Sequence, residues 1–165
     1  VSFSNFCYSQ QLKDIFKSHD SPILYLGIDF TMARLIDDSQ VKTDDLINKY
    51  FPSINDLIIN EPTKYDLSSA FRNKNIEHNL GYVTKMNRSI DLESITSFSS
   101  KDFNRLVLRD IETAVKKYQF DKNDNGIGLI FFVEGMSKSL KGESVWVTFI
   151  DMQSKNVLFS EIFLG

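Results

Sequence analysis

The feature that most constrains the fold is the C-terminal segment Ile127–Leu164, in which three apolar runs follow one another with short polar links. The runs are Ile127–Glu134, Glu143–Asp151 and Val157–Leu164. Each has the length of a strand and is rich in β-branched and aromatic residues. Both links are too short for the crossover that parallel strands need, so we expect the strands to meander antiparallel.

The middle run is apolar on both of its faces. Successive side chains of a strand point to opposite sides. One side of this run carries Val145, Val147 and Phe149, and the other carries Trp146, Thr148 and Ile150. A half-exposed strand alternates apolar with polar residues, so this strand is expected to be covered on both sides. We therefore predict that Trp146 is core, covered by a helix over 102–118 or by an N-terminal helix.

Upstream of these runs, the pattern predicts helices that alternate with two strands. The helix over 102–118 has apolar residues at helical spacing after Ser99–Asp102, a sequence that resembles a capping box. Before it, the pattern predicts a helix over 11–18 and then a strand over 23–30, which residues 32–36 extend. A helix from Thr43 follows, kinks at Pro52 and resumes over 54–58. The last two predicted elements are a helix over 64–73 and a half-exposed strand over 76–86.

This order of elements predicts the fold class. Strand–helix–strand units favour parallel pairing with right-handed crossovers. We therefore predict an α/β fold in the order β-α-β-α-β-β-β. Its mixed sheet has about five strands, which is within the usual range, with helices packed on it and an antiparallel meander at its C-terminal end.

Composition limits the number of domains and the class of partner. A length of 165 residues predicts a single domain, over residues 10–165. The net charge of −3 and the pI near 5.4 argue against a nucleic-acid partner or an anionic membrane. No apolar run reaches about 18 residues, so we expect no transmembrane segment.

The first nine residues, 1–9, resemble the end of a secretory signal peptide. They carry no charge, and small residues stand at Cys7 and Ser9, the −3 and −1 positions of a cleavage before Gln10. The alternative is a short N-terminal strand or arm. Cleavage would remove the only cysteine, so the mature chain would have no disulfide and no cysteine metal site.

Residues 121–126 resemble the opening of a calcium-binding loop. The first, third and fifth positions carry Asp or Asn, and Gly126 is the sixth. The twelfth position, which should be a bidentate glutamate, is Phe132, and Glu134 comes two residues too late. We therefore favour a helix-to-strand turn, in which Gly126 takes a left-handed conformation, and predict no metal site.

The remaining candidates for chemistry are isolated. Four carboxylates in apolar strands could form an acid–base pair, namely Asp29, Glu134, Asp151 and Glu161. The predicted meander separates Glu134 from Asp151 by a strand length, so these charges are expected to be solvated. His19 and His78 have no partners at ligand spacing, and Ser39–Lys42 matches S-x-x-K without its companion motifs. No residue is therefore assigned to catalysis, to a cofactor or to a metal.

The order of elements resembles that of small α/β domains of bacterial envelope proteins, such as the curli-secretion lipoprotein and the N-terminal domain of the Tol–Pal translocation protein. In addition, Val145–Asp151 followed by Lys155–Leu158 resembles a hairpin of uncharacterised exported bacterial proteins. Together with the signal-like start and the lack of a catalytic motif, this resemblance predicts an exported or periplasmic, non-enzymatic binding or assembly domain of the cell envelope, with a protein partner. The alternatives are a small hydrolase with a site assembled from strand-end residues and a small-ligand carrier with an enclosed apolar cavity.

Overall fold

A computed structural model of the chain describes residues 22–37 and 42–165. The predicted helix over 11–18 and the signal-like residues 1–9 lie outside these ranges. In chain order the elements are β1 (Ile23–Asp29), β2 (Arg34–Ile36), α1 (Thr43–Asp45), a π-helical turn (Leu46–Tyr50), α2 (Phe51–Asn60), α3 (Leu67–Phe71), β3 (Ile76–His78), α4 (Gly81–Asn87), β4 (Thr96–Ser97), a 3-10 turn (Ser100–Phe103), α5 (Leu108–Lys116), β5 (Ile127–Ser137), β6 (Gly142–Asp151) and β7 (Asn156–Leu164).

The described elements form one sheet of seven strands in which β5 is central. Along one edge of β5, the first half of the strand pairs in parallel with β1 and its last residues pair in parallel with β2. On their outer sides, β1 pairs in parallel with β3, and β2 pairs in parallel with β4. The other edge of β5 pairs antiparallel with β6, which pairs antiparallel with β7. The α/β prediction is confirmed. The finer prediction holds in part, because the strand expected over 23–36 is broken in two and β4 was not predicted.

Helices cover both faces of the sheet. On one face, α4 and α5 enclose a cluster that includes Val83, Ile111, Phe132 and Trp146. On the other face, the ring of Phe71 in α3 lies edge-on to the ring of Phe149, 5.4 Å between centroids. The predicted burial of Trp146 is confirmed, since only 9% of the residue is exposed and α5 lies over it.

Two asparagine side chains complete the outer edge of β1 beyond the point where β3, its partner strand among the described residues, ends. Asn55 of α2 accepts a hydrogen bond from the Ile28 amide (2.7 Å) and donates one to the Ile28 carbonyl (3.0 Å). Asn87 of α4 accepts from the Phe30 amide (2.8 Å) and also donates to the Ile28 carbonyl (3.0 Å). A Cβ atom on Gly27, whose φ is 109°, would lie 2.6 Å from the Asn55 side chain, so only glycine lets the helix approach this closely.

The predicted strand over 76–86 is wrong beyond its first residues. β3 ends at His78, and α4 begins at Gly81. The side chain of Asn79 accepts a hydrogen bond from the Gly81 amide (3.0 Å), which turns the chain towards the helix. The buried residues of α4 are Val83 and Asn87, at the i, i+4 spacing of a helix rather than the alternation of a strand.

The predicted helix over 102–118 is also wrong at its start, since α5 begins only at Leu108. The cause is Glu134, whose side chain accepts the backbone N–H groups of Arg105 and Leu106. Those amides would otherwise bond to carbonyl groups of the preceding turn. The first turn of α5 is held instead by Asp110, which accepts from the Val107 amide (2.9 Å).

Glu134 lies at a β-bulge and is fully buried. The pairing register of β5 and β6 shifts between Val133 and Gly135, so Glu134 has no partner opposite it. Its carboxyl group also accepts from Trp146 Nε1 (2.9 Å) and lies 3.8 Å from the Arg105 guanidinium. The exposed fraction of Glu134 is 0%, so the prediction that it is solvated is wrong.

Replacing Glu134 by Ala is expected to lower the free energy of unfolding by roughly 3–5 kcal/mol, as the loss of one partner of a buried charge does. The cause is that three N–H donors would lose their acceptor at once. Urea denaturation measures the change, and E134Q should fall between the wild type and E134A because its amide keeps one acceptor oxygen. Glu143→Ala, at an exposed carboxylate of β6, is the matched control. Equal losses in E134A and E143A would contradict the assignment.

Candidate functional site

Two of the four carboxylates singled out in the sequence lie close together in the fold. Asp29 is paired with Phe132 between the parallel strands β1 and β5, and Glu134 follows two residues later on the same face. Asp29 lies at the carboxyl end of a parallel strand, where α/β proteins place many active sites, whereas Glu134 lies within β5, at its bulge. Asp151, in contrast, is half-buried at the far end of β6, and Glu161 is exposed on β7.

Asp29 is fully buried and accepts hydrogen bonds from Tyr118 and Thr31. The Tyr118 hydroxyl donates to it (2.6 Å), and so does the Thr31 amide (2.7 Å). Burial raises the pKa of Asp29 above its usual value, although these hydrogen bonds and the charge of Lys117 act in the opposite direction. Burial also raises the pKa of Tyr118, and the charge of Asp29 adds to that effect.

This arrangement suits a structural role better than catalysis. Both Asp29 and Glu134 have an exposed fraction of 0%, so a substrate cannot touch either of them without opening the core. A general acid or base must lie within hydrogen-bond reach of the proton that it transfers. Arg105, which lies beside Glu134, has 24% of its side chain exposed, and burial lowers its pKa.

A carrier for a small ligand has little support from the cavity beside Tyr25. That cavity has a volume of about 240 Å³, below the roughly 300–1,000 Å³ typical of ligand sites. Its lining is mixed, since apolar residues such as Ile58, Leu67 and Ile76 stand beside polar ones, among them Asp66 and Glu77. The Tyr25 hydroxyl is buried without a hydrogen-bond partner among the described residues, but the residue is 0% exposed, so a ligand in the cavity does not reach that hydroxyl.

A groove of about 660 Å³ between α5 and the start of β7 is the better candidate. The helix buries Ile111, Ala114 and Val115 against the sheet, which leaves its opposite face to line the groove. Lys116 Nζ donates to the Ser154 carbonyl (3.2 Å) and to Asn156 Oδ1 (3.0 Å), so the end of α5 is tied to the turn before β7. The lining residues are Arg109, Glu112, Thr113, Lys116, Lys155, Asn156, Val157 and Leu158.

The charge in this groove is opposite in sign to that of the whole chain. Arg109, Lys116 and Lys155 supply three positive charges, and Glu112 supplies one negative charge. The chain as a whole has a net charge of −3. The groove therefore offers a local attraction for anionic groups.

β7 borders the groove and has a free edge. Glu143 and Gly165 exchange both of their backbone hydrogen bonds, each 2.9 Å long. Such pairs alternate along an antiparallel ladder, so the backbone groups of Ser160, Ile162 and Leu164 point away from β6. Within the part of the chain that the structure describes, β7 pairs with β6 alone. A row of backbone donors and acceptors is thus open to a further strand.

The apolar character of this edge adds to its capacity to bind. Phe163 is 53% exposed and Leu164 is 61% exposed. Glu161 is the only charged residue between Asn156 and Leu164, and the strand has no proline. Natural proteins usually protect exposed edges with charges, prolines or short strands.

The structure places the loop over 121–126 in a turn. Gly126 has a φ of 104°, the positive value predicted for this position. The Tyr82 hydroxyl donates to Asp124 and accepts from the Asp121 amide (3.1 Å), and burial raises the pKa of Tyr82 to about 12. No group of three His, Cys, Asp or Glu side chains that could hold a metal occurs within 22–37 and 42–165.

The other sequence candidates do not form a site together. His78 lies beside Glu77 and Asn79 at the wall of a polar cavity, away from the groove. His19 and residues 39–41 of the S-x-x-K match lie outside the described ranges. Sequence reasoning missed the groove because Lys116 and Lys155 are distant in the chain and meet only through the packing of α5 on the sheet.

Comparison with known proteins found no relative. No protein-family model matches the chain, and neither a curated protein nor a solved structure matches it. The resemblance to bacterial envelope domains therefore stays a prediction. Among the helices in the described ranges, none has the length and apolarity needed to cross a membrane.

The buried Asp29 should make stability depend on pH. Its raised pKa means that the native state keeps a proton that the unfolded chain has released, between the ordinary value of 3.8 and the raised value. Stability should therefore fall as pH rises through that interval. Asp29→Asn cannot titrate, so urea denaturation should show the wild type losing stability relative to D29N as pH rises.

Asp151→Asn is the control with the opposite sign. The Ser154 amide donates to Asp151 (2.6 Å), and this bond lowers the pKa of Asp151. The wild type should therefore lose stability relative to D151N as pH falls through that lowered pKa. A wild-type curve parallel to that of D29N would contradict the raised pKa of Asp29.

Proposed function

We propose that this chain is a non-enzymatic binding or assembly domain of the bacterial cell envelope, exported or periplasmic, that holds a protein partner at the edge of β7. The observation that carries the proposal is the open edge of that strand, where the backbone groups of Ser160, Ile162 and Leu164 have no strand partner within 22–37 and 42–165. An extended segment that pairs with such an edge gains main-chain hydrogen bonds, and side-chain contacts then set its specificity.

The apolar side chains at the end of β7 favour a protein as the partner. Phe163 and Leu164 are both more than half exposed, and both would be covered by an added strand and the chain that follows it. Burial of apolar area stabilises a complex by roughly 25 cal/mol per Å² before the cost of association is subtracted. An aromatic residue at a strand edge is also typical of protein interfaces.

The hydrolase alternative has less support. Its site would need strand-end carboxylates that a substrate can reach. Asp29 and Glu134 lie on neighbouring parallel strands, but both are enclosed. Their hydrogen bonds are made to Tyr118, Trp146 and backbone amides, all of which they hold in place.

Export is supported by the uncharged residues 1–9, with small residues at Cys7 and Ser9. Expressed in a bacterial host with its natural N-terminus, the protein should be recovered outside the cytoplasm and should begin at Gln10. N-terminal sequencing of the purified protein measures the cleavage. Cys7→Trp combined with Ser9→Trp should block it, since signal peptidase needs small residues at these positions. A cytoplasmic chain that retains residues 1–9 would refute export.

Binding at β7 is tested by site-specific crosslinking in cells that express the full chain. Glu161 and Phe163, both exposed on β7, are replaced in turn by a photoreactive amino acid. Both positions should crosslink to one and the same partner protein, which mass spectrometry identifies. The control position is Lys74, which is exposed just before β3 at the opposite edge of the sheet. Adducts from Lys74 alone, or none from β7, would count against the proposal.

A further inference from the structure

We infer that the segment bound at β7 is an extended, acidic stretch of the partner protein that lies in the groove between α5 and β7. The inference rests on the proposed function and adds the chemistry of what is recognised. It combines two neighbouring features: the open backbone edge of β7 and the cations of Arg109, Lys116 and Lys155.

The helix and the strand run side by side in opposite directions. At one end, Lys116 contacts Asn156 at the start of β7. At the other end, Glu134 binds both the Leu106 amide just before α5 and the side chain of Trp146, which pairs with Ile162 of β7. β7 lines the groove only at its start, up to Leu158, so a segment that pairs with Ser160, Ile162 and Leu164 would have to extend towards Asn156 to lie in it beside α5.

The alternation of side chains along a strand predicts a sequence pattern for the segment that pairs with β7. Residues of the segment alternate between the face of the sheet covered by α5 and the opposite face. Side chains on the α5 face would lie near Arg109 and Lys116. Those on the opposite face would lie near Phe163, which pairs with Val145 on the side of the sheet away from Trp146. We therefore expect acidic residues to alternate with apolar ones.

Charge favours this occupant over a second copy of the chain. A second β7 would bring a single acidic residue, Glu161, and no other charge between Asn156 and Leu164. Glu161 pairs with Val147, which places it on the face opposite α5 and its cations. A dimer through β7 would thus leave Arg109, Lys116 and Lys155 without anionic partners from that strand.

The probe is a fluorescein-labelled, end-blocked peptide of alternating valine and glutamate, about eight residues long to match a common strand length. Fluorescence anisotropy with the full chain should show saturable binding that weakens as salt is added. The same peptide with lysine in place of glutamate should not bind. A version methylated on alternate backbone nitrogens should bind much more weakly, because it cannot donate to the edge of β7.

The groove is tested by charge reversal. Arg109→Glu with Lys155→Glu should weaken binding about tenfold, which corresponds to about 1.4 kcal/mol. Lys74→Glu with Lys122→Glu makes the same change of charge at exposed positions that do not line the groove, and should leave binding unchanged. Circular dichroism on each variant checks that it is folded.

The possible outcomes separate this inference from the proposed function. If crosslinking at β7 yields a partner but the glutamate peptide does not bind, or the lysine peptide binds equally well, the acidic segment is refuted and the binding role stands. A dimer in sedimentation that excludes the peptide would assign the edge to a second copy and would also refute the inference. Loss of both crosslinking and peptide binding would refute both.

Discussion

The hydrogen bonds of Glu134 are the interaction on which the rest of the structure depends. One buried side chain connects the central strand β5, the side chain of Trp146 on β6 and the backbone before α5. A buried carboxylate is costly unless its oxygens are satisfied, and here three N–H donors and a nearby guanidinium do so. The bulge at Glu134 makes this possible, because it removes the residue from the ladder and turns it towards α5.

The same principle operates at the outer edge of β1, with amides in place of a carboxylate. Asn55 and Asn87 make the backbone hydrogen bonds at the end of β1 that a neighbouring strand would otherwise make. Each residue is nearly buried, at 3% and 5% exposed, and each belongs to a different helix. Helices α2 and α4 are therefore positioned by hydrogen bonds to the sheet as well as by apolar contact.

Sequence periodicity predicted the elements whose environment is uniform. The strands after Ile127 are apolar on both faces and were placed within a few residues of their observed bounds. Periodicity failed where a side chain from a distant part of the chain binds backbone N–H or carbonyl groups in place of a helix or strand partner. Nothing in the sequence near Arg105 indicates that Glu134 will bind its amide, and nothing near β1 indicates that Asn87 will replace a strand. These long-range polar contacts decide the helix starts and the strand breaks.

The candidate site could not be predicted from the sequence for a related reason. A strand edge can bind a further strand only if no other strand of the fold pairs with it, and the sequence does not show which edges stay unpaired. The opposite border of the sheet is protected: β3 has three residues, with exposed Glu77 and His78, and β4 has two. β7 has nine residues and one charge, and its end exposes Phe163 and Leu164. A long apolar edge is a ready template for pairing with another chain. The asymmetry between the two borders, together with the cations of α5 beside β7, is what points to binding at this edge.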